Sequence, residues 1–350
     1  MAEITKNNSG SDPGKTPRGL RWLFLGLALA FYLTVLGLEG AGNLNPYHMQ
    51  ILSLVCINIV LAVSLNLING FTGQFSLGHA GFMAVGAYVS AFLSRNVVNP
   101  MSLPGIEWLD FLVRIGLFLL VILAGAVAAA ILGFLVGLPT LRLRGDYLAI
   151  ATLGLGEIIR IILINLDVVG GARGYAVPKY TNFTWAFVLM VFAVLIIANL
   201  INSTHGRAFI SVREDEIAAE AMGINTTRYK VLAFSIGAFF AGLSGALFAH
   251  LFVYISPQIF DFLRSIDILV MVVLGGLGSI TGSITAAVFV TLVTEMLRQF
   301  VELRVIIFSL ILIIVMLIRP QGLLGTREVT DLFRRKRGDQ DKLPQHQKTI

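Results

Sequence analysis

Glu157 and Arg160 stand inside an otherwise apolar run, 147 to 166. Charge is costly at bilayer depth, so ionisable groups placed there are first read as functional. Three positions apart, the two share a helix face, and they read either as a structural pair that neutralises itself or as part of a polar path. A second set lies at 69 to 81, Asn-Gly-Phe-Thr-Gly-Gln-Phe-Ser-Leu-Gly-His-Ala-Gly, and a third at 275 to 282, Gly-Gly-Leu-Gly-Ser-Ile-Thr-Gly. Backbone that leaves the helix inside a membrane must find partners in protein or water, so such segments line cavities. The candidates for a solute path are therefore Thr72, Gln74, Ser76, His79, Glu157, Ser279 and Thr281. For 69 to 81 a tight cytoplasmic turn is the competing reading, and His79 could equally sit at a water boundary.

Bond-making chemistry has less support. Gly242-Leu243-Ser244-Gly245 matches the G-x-S-G pattern around the nucleophile of rhomboid-like intramembrane proteases. A nucleophilic serine needs a base within hydrogen-bond reach. His250 is six residues on in the same helix, about 240° round, which leaves only the distant His79. Helix packing accounts for the small residues instead, because Gly237, Ala241 and Gly245 recur every four positions. Gly10-Ser11-Asp12-Pro13-Gly14-Lys15-Thr16 is one residue short of a phosphate loop and follows no strand. No cofactor and no metal site is expected.

The elements that must hold these residues follow from composition. Of 350 residues, 56% are hydrophobic and 13% charged, against roughly 25% charged in soluble domains, which excludes an ordinary soluble enzyme. Cys56 has no partner in the chain, which excludes a disulfide scaffold. Apolar runs fall at 22–38, 49–68, 82–98, 113–138, 147–166, 185–202, 231–252 and 303–318, and the stretch 266–297 divides at its glycine cluster into two shorter spans. The reading is an all-α polytopic membrane protein of about ten transmembrane helices with two glycine-rich breaks. The breaks lie about 200 residues apart, which suggests an internally duplicated span pair. With both termini inside, the inner segments hold 18 of the 26 Lys and Arg, the bias expected of a cytoplasmic side. Residues 1–21 are polar and expected to be disordered, with 22–38 a retained anchor; 319–350 form a basic tail. Its Arg334-Arg335-Lys336-Arg337 suits anionic membrane lipid, and no nucleic acid is expected.

The most polar internal segment, 203–230, carries its own pattern. Ser211 followed by Glu214 reads as a capping box, Glu214, Asp215 and Glu216 would occupy the first turn, and Gly223 would end a helix of about ten residues. Ile217, Ala218, Ala221 and Met222 make an apolar stripe beside Arg213 and Glu220. A membrane-surface helix usually carries Lys and Arg on its polar face, and this start is acidic, so docking into another protein's groove is the preferred reading.

Several strings in order then resemble a known family. They include Leu141-Arg142-Leu143-Arg144-Gly145-Asp146-Tyr147-Leu148-Ala149-Ile150, Gly156-Glu157-Ile158-Ile159-Arg160, Arg213-Glu214-Asp215-Glu216-Ile217-Ala218, Val273-Leu274-Gly275-Gly276-Leu277-Gly278-Ser279 and Arg319-Pro320-Gln321-Gly322-Leu323-Leu324. The stretch from about 49 to 325 resembles the M-type permease subunit of branched-chain amino acid ABC importers. That resemblance implies a transmembrane permease domain over 22–318 in a bacterial inner membrane, a sister permease, two cytoplasmic ATPases and a periplasmic or lipid-anchored substrate-binding protein. It makes the 203–230 loop a coupling helix, with Arg213, Glu214, Asp215, Glu216, Ala218 and Gly223 meeting the ATPase. It implies transport driven by partner subunits, with no catalysis by the chain itself. Relatives that move urea, short amides or aromatic acids keep the same framework, and an ion-coupled secondary transporter is the rival outside the family. For an amino acid, helix N-termini favour the carboxylate, freed carbonyls accept the ammonium, and the alkyl group asks only for an apolar wall.

Overall fold

The computed structural model describes residues 18–42, 44–98, 107–140 and 146–300, and beyond these only 309, 310, 313, 317 and 322. The terminal segments, the string 141–145 and most of the span expected at 303–318 lie outside the described residues. Eleven α-helices are described: α1 (Arg18–Gly40), α2 (Pro46–Asn66), α3 (His79–Leu93), α4 (Glu107–Thr140), α5 (Asp146–Asn165), α6 (Phe183–Ile201), α7 (Thr204–Glu214), α8 (Glu216–Ala221), α9 (Thr226–Phe252), α10 (Phe262–Gly275) and α11 (Ile280–Met296). Six of the helical segments are long and apolar enough to cross a membrane: Pro46–Phe71, His79–Val98, Val113–Thr140, Tyr147–Asn165, Phe183–Ile201 and Thr226–Phe252. The chain is an all-α polytopic membrane protein.

Helix burial sorts the bundle into a centre and a rim. The α2 span is 83% buried and α9 is 78% buried, whereas α5 and α6 are 28% and 22% buried. A helix apolar on every side fits the middle of a bundle, and α2 is that helix. It starts cleanly because Pro46 occupies the first turn, where a missing N–H is harmless. Cys56 lies on α2, buried beside a satellite cluster of Val35, Phe183, Ala186 and Phe187.

Where α3, α4 and α9 cross, glycines bring the backbones together. A methyl group on Gly86 would fall on the backbone of Gly242, one on Gly245 would fall on the Met83 carbonyl, and one on Gly125 would lie 2.6 Å from the Gly86 oxygen. In a membrane, such contact is a chief source of helix–helix attraction. The four-residue repeat Gly237, Ala241, Gly245 therefore marks packing as expected, but it is shared. Gly237 faces Ile68 and the Ser64 carbonyl, and Gly245 faces α3. Gly245 makes the closest approach of the three glycines, and Gly242, outside the repeat, lies against Gly86 and Ala129.

At the far end of α9, Val253 adopts φ 64 and ends the helix. There β1 (Tyr175–Ala176) pairs antiparallel with β2 (Tyr254–Ile255), Tyr175 opposite Ile255, and the Tyr254 hydroxyl donates to the Arg173 carbonyl. This two-residue bridge is the one strand pair among the described residues, and two residues are too few to leave a period-2 signal in sequence.

The loop 203–230 differs from the expected single helix. Ser203, not Ser211, opens the segment, accepting from the His205 and Gly206 amides, so α7 is already under way at 204. Inside it, the Ser211 hydroxyl donates back to the Arg207 carbonyl at 3.0 Å. Asp215 leaves helical geometry at φ −156 and ψ 110, and its Oδ1 accepts from the Ile217 and Ala218 amides at 2.9 and 3.0 Å. Glu214 thus closes α7 and only Glu216 sits in the first turn of α8, which has six residues. Gly223, at φ +83, ends it as expected. Ser211 is already inside the helix that Ser203 opens, so the cap falls to Asp215, which splits the run in two.

Candidate functional site

The two glycine-rich segments, 200 residues apart in sequence, touch. The last turn of α2 widens to a π-helical turn over Leu67–Phe71, residues 72–78 follow without regular structure, and α3 begins at His79. Between α10 and α11 the chain turns at 276–279, with Gly276 and Gly278 at positive φ. Asn66, fully buried, joins them. Its Nδ2 donates to the Ser279 carbonyl at 2.9 Å and to Ser283 Oγ at 2.8 Å, and its Oδ1 accepts from the Gly278 amide at 2.9 Å. Both faces of the amide are used, so its orientation is fixed. A Cβ on Gly70 would occupy the place of Asn66 Oδ1 and the Gly278 amide, which is why position 70 carries no side chain.

The path candidates in the first segment divide into satisfied and unsatisfied groups. Thr72 Oγ1 donates to the Ile68 and Leu67 carbonyls at 2.6 and 3.1 Å, closing the widened turn. Ser76 is clamped through its backbone, its amide on Asn69 Oδ1 at 3.2 Å. His79 Nε2 lies 2.9 Å from Ser64 Oγ. The remaining polar atoms here, both amide atoms of Gln74, Ser76 Oγ and His79 Nδ1, are buried with no hydrogen-bond partner among the described residues. Buried polar atoms are nearly always paired, so four such atoms within six positions mark this segment.

The other candidates are structural in geometry. Ser279 Oγ caps α11 by accepting from the Gly282 amide at 3.1 Å, and Thr281 Oγ1 lies 3.3 Å from it. Glu157 pairs with Arg160 at 2.8 Å, both about one-third exposed. Glu157 also borders a shallow crevice between α3, α5 and α10 that includes Leu77, Gly81, Asp261 and Ser265. The first segment is fastened to that region, since the Leu77 amide donates to Thr152 Oγ1 at 3.0 Å and the Ala80 amide to Ser265 Oγ at 3.2 Å.

Ser244 is not an activated nucleophile. It is fully buried and donates to the Phe240 carbonyl at 2.9 Å, the usual back-bond of a helical serine. His250 donates from Nδ1 to the Pro178 carbonyl at 3.0 Å, packed against Phe118 and Tyr180. Ser244→Ala is therefore expected to change stability by less than about 1 kcal/mol, read from thermal unfolding in detergent. A tenfold loss of any activity with the fold intact would reopen the catalytic reading.

The segment expected to meet a partner lies beneath the joined breaks. Arg213 Nη1 donates to the Gly70 carbonyl at 2.9 Å, and its Nε and Nη2 donate to Glu214 Oε1 at 3.1 and 2.5 Å. Glu216 pairs with Lys230 at 2.6 Å, tying α8 to the first turn of α9. Ala218 is exposed, with Ile217 71% exposed on the same short helix and Met222, its C-cap, 82% exposed.

Sequence reasoning missed Asn66, Asn58 and Arg264. Asn58 Nδ2 donates to Thr291 Oγ1 at 2.9 Å and its Oδ1 accepts from Arg264 Nη2 at 2.8 Å. The signal was available: Asn58, Asn66 and Asn69 interrupt an apolar run with amides, and a buried amide needs partners as a buried charge does.

The family described as branched-chain amino acid transport system / permease component matches residues 47–318. The high-affinity branched-chain amino acid transport system permease protein LivM of Salmonella typhimurium is 37% identical over 312 residues, covering 79% of this chain and 69% of that relative. LivM of Escherichia coli is 36% identical over the same length and coverage. LivH of Salmonella typhimurium is 26% identical over 292 residues, 77% of this chain and 92% of its own. No solved structure matches the chain. A match over residues 47–318, most of the length, places the chain in the family of branched-chain amino acid transport permeases.

Proposed function

We propose that the chain is the M-type pore subunit of an ATP-driven importer of branched-chain amino acids. Under this reading it crosses a bacterial inner membrane ten times with both termini in the cytoplasm. The distribution of Lys and Arg supports that orientation, and α1, α10, α11 and the apolar run 303–318 supply the four spans beyond the six long helices. A sister permease completes the pore; that relatives include both a LivM and a LivH permease supports a pair. Two ATPases dock below, and a binding protein outside delivers substrate.

The observation that carries the mechanism is the contact between the loop 203–230 and the two breaks. Short α8 and its C-cap present Ile217 and Met222 outward, an apolar surface suited to a groove, while Glu216 pairs with Lys230 of α9 and Glu220 accepts from Thr226 Oγ1. The solute path runs beside 72–79, where Gln74, Ser76 and His79 keep polar atoms available. Those groups can take up the hydrogen bonds that an amino acid gives up on leaving water, without the tight site that would slow release. The binding protein supplies most of the selectivity.

Replacing Ile217 and Met222 together by Asp is expected to remove the ATPases from the purified complex and reduce leucine uptake at least tenfold, with the permease still folded. In proteoliposomes holding all subunits, labelled leucine should accumulate only with internal ATP. Uphill uptake by the chain alone, driven by an ion gradient, would refute the reading.

A further inference from the structure

We propose that Arg213 is the positioning residue through which movement of α8 reaches both glycine breaks at once. The inference rests on α8 being the ATPase-docking helix. Arg213 lies two residues before the cap of α8 and one before the end of α7, so no flexible linker separates it from the docking surface. Its guanidinium does three things. Nη1 donates to the Gly70 carbonyl, an acceptor at the end of the widened turn of α2, where helical carbonyls run out of partners. The positive charge sits at the C-terminal, electronegative end of that long helix. Nε and Nη2 grip Glu214, which fixes the plane of the fork and neutralises a carboxylate placed unfavourably at the end of α7.

The slot around it is built from glycine on both breaks. At Gly73, φ +68, an added Cβ would come within 2.9 Å of Arg213 Cγ. At Gly278, φ +84, it would come within 2.9 Å of Nη1. Gly70 could not carry a side chain without displacing Asn66 or Gly278. One guanidinium therefore touches the first break by hydrogen bond and both breaks by contact, and Asn66 holds the two together behind it. A displacement of α8 that carries Arg213 along presses on bare backbone at Gly73 and Gly278, with no side chain of theirs in between. Lysine could offer one hydrogen bond to Gly70 but not the planar fork that also holds Glu214.

The test uses the complete reconstituted complex with leucine uptake and ATP hydrolysis measured side by side. In R213A, uptake and hydrolysis are both referred to the amount of ATPase that co-purifies, because the family resemblance counts Arg213 among the residues that meet it. Uptake is expected to fall at least tenfold while hydrolysis stays within about twofold, so moles of leucine per ATP fall. R213K is expected to be intermediate. A role confined to stability would lower uptake and hydrolysis in proportion, and that result overturns the proposal, as does an unchanged ratio. If R213A does not fold or assemble, the residue belongs to the fold or to the docking interface, and R213K and G278A then decide: a wild-type ratio in both rejects transmission through the slot. Loss of ATPase co-purification on I217D/M222D, with an unchanged ratio in R213A, would leave the docking reading standing and remove this one alone.

Discussion

Asn66→Leu is expected to lower the free energy of unfolding by about 3–5 kcal/mol and to abolish uptake. Leucine keeps the heavy-atom count and branching of asparagine but is bulkier, so the change removes the hydrogen bonds and adds some crowding. Three are lost, to the Ser279 carbonyl, Ser283 Oγ and the Gly278 amide. Each is worth on the order of 1 kcal/mol, and an amide left buried without an acceptor adds about 1–3 kcal/mol. Ser279 and Ser283 keep a bond to each other, which sets the upper end. Unfolding in mixed detergent, followed by circular dichroism, measures the loss. A variant within about 1 kcal/mol of the parent would mean that the two breaks are held together by packing and that Asn66 is incidental.

A second large effect is expected at the α3–α9 crossing. Gly86→Leu would place four heavy atoms where the Gly242 backbone already stands. Overpacking of this kind costs about 3 kcal/mol when neighbours can shift, and here the obstructing atoms are main chain. With Gly125 pressed on the Gly86 carbonyl from α4, retreat in one direction meets a third helix. The folded yield in detergent, read as the monodisperse fraction by size exclusion, should fall at least fivefold. Gly116→Leu is the control, because a Cβ there meets nothing within 4 Å. Equal yields for the two variants would show that α3 and α9 separate freely.

Much of the chemistry in this chain was legible because membrane physics leaves few alternatives. Apolar runs of span length gave α2, α3, α4, α5, α6 and α9, and the two glycine clusters fell where α2 and α3, and α10 and α11, part company. Gly223 ended its helix as its position required. Asn66 and Arg213 show what pattern cannot give. Each acts across more than 140 positions of chain, and neither a period nor a local motif encodes which carbonyl lies opposite. The error at Ser211 has a different source. Two caps compete within five residues, and the winner is set by Ser203, which starts the preceding helix early enough to consume Ser211. The serine motif at 242–245 is ambiguous in sequence because small residues serve close approach and nucleophile turns alike; the lack of a base in reach favoured packing, and the neighbours of Gly242 and Gly245 agree.

The burial of Cys56 beside Phe183 and Phe187 has a practical side. It is the chain's single sulfhydryl and is 4% exposed, so reagents that attack accessible thiolates find no natural target. Reporter probes can therefore be attached at engineered cysteines on α8 and near the glycine turns without first stripping the native one, and the spacing between those labels during turnover becomes directly readable.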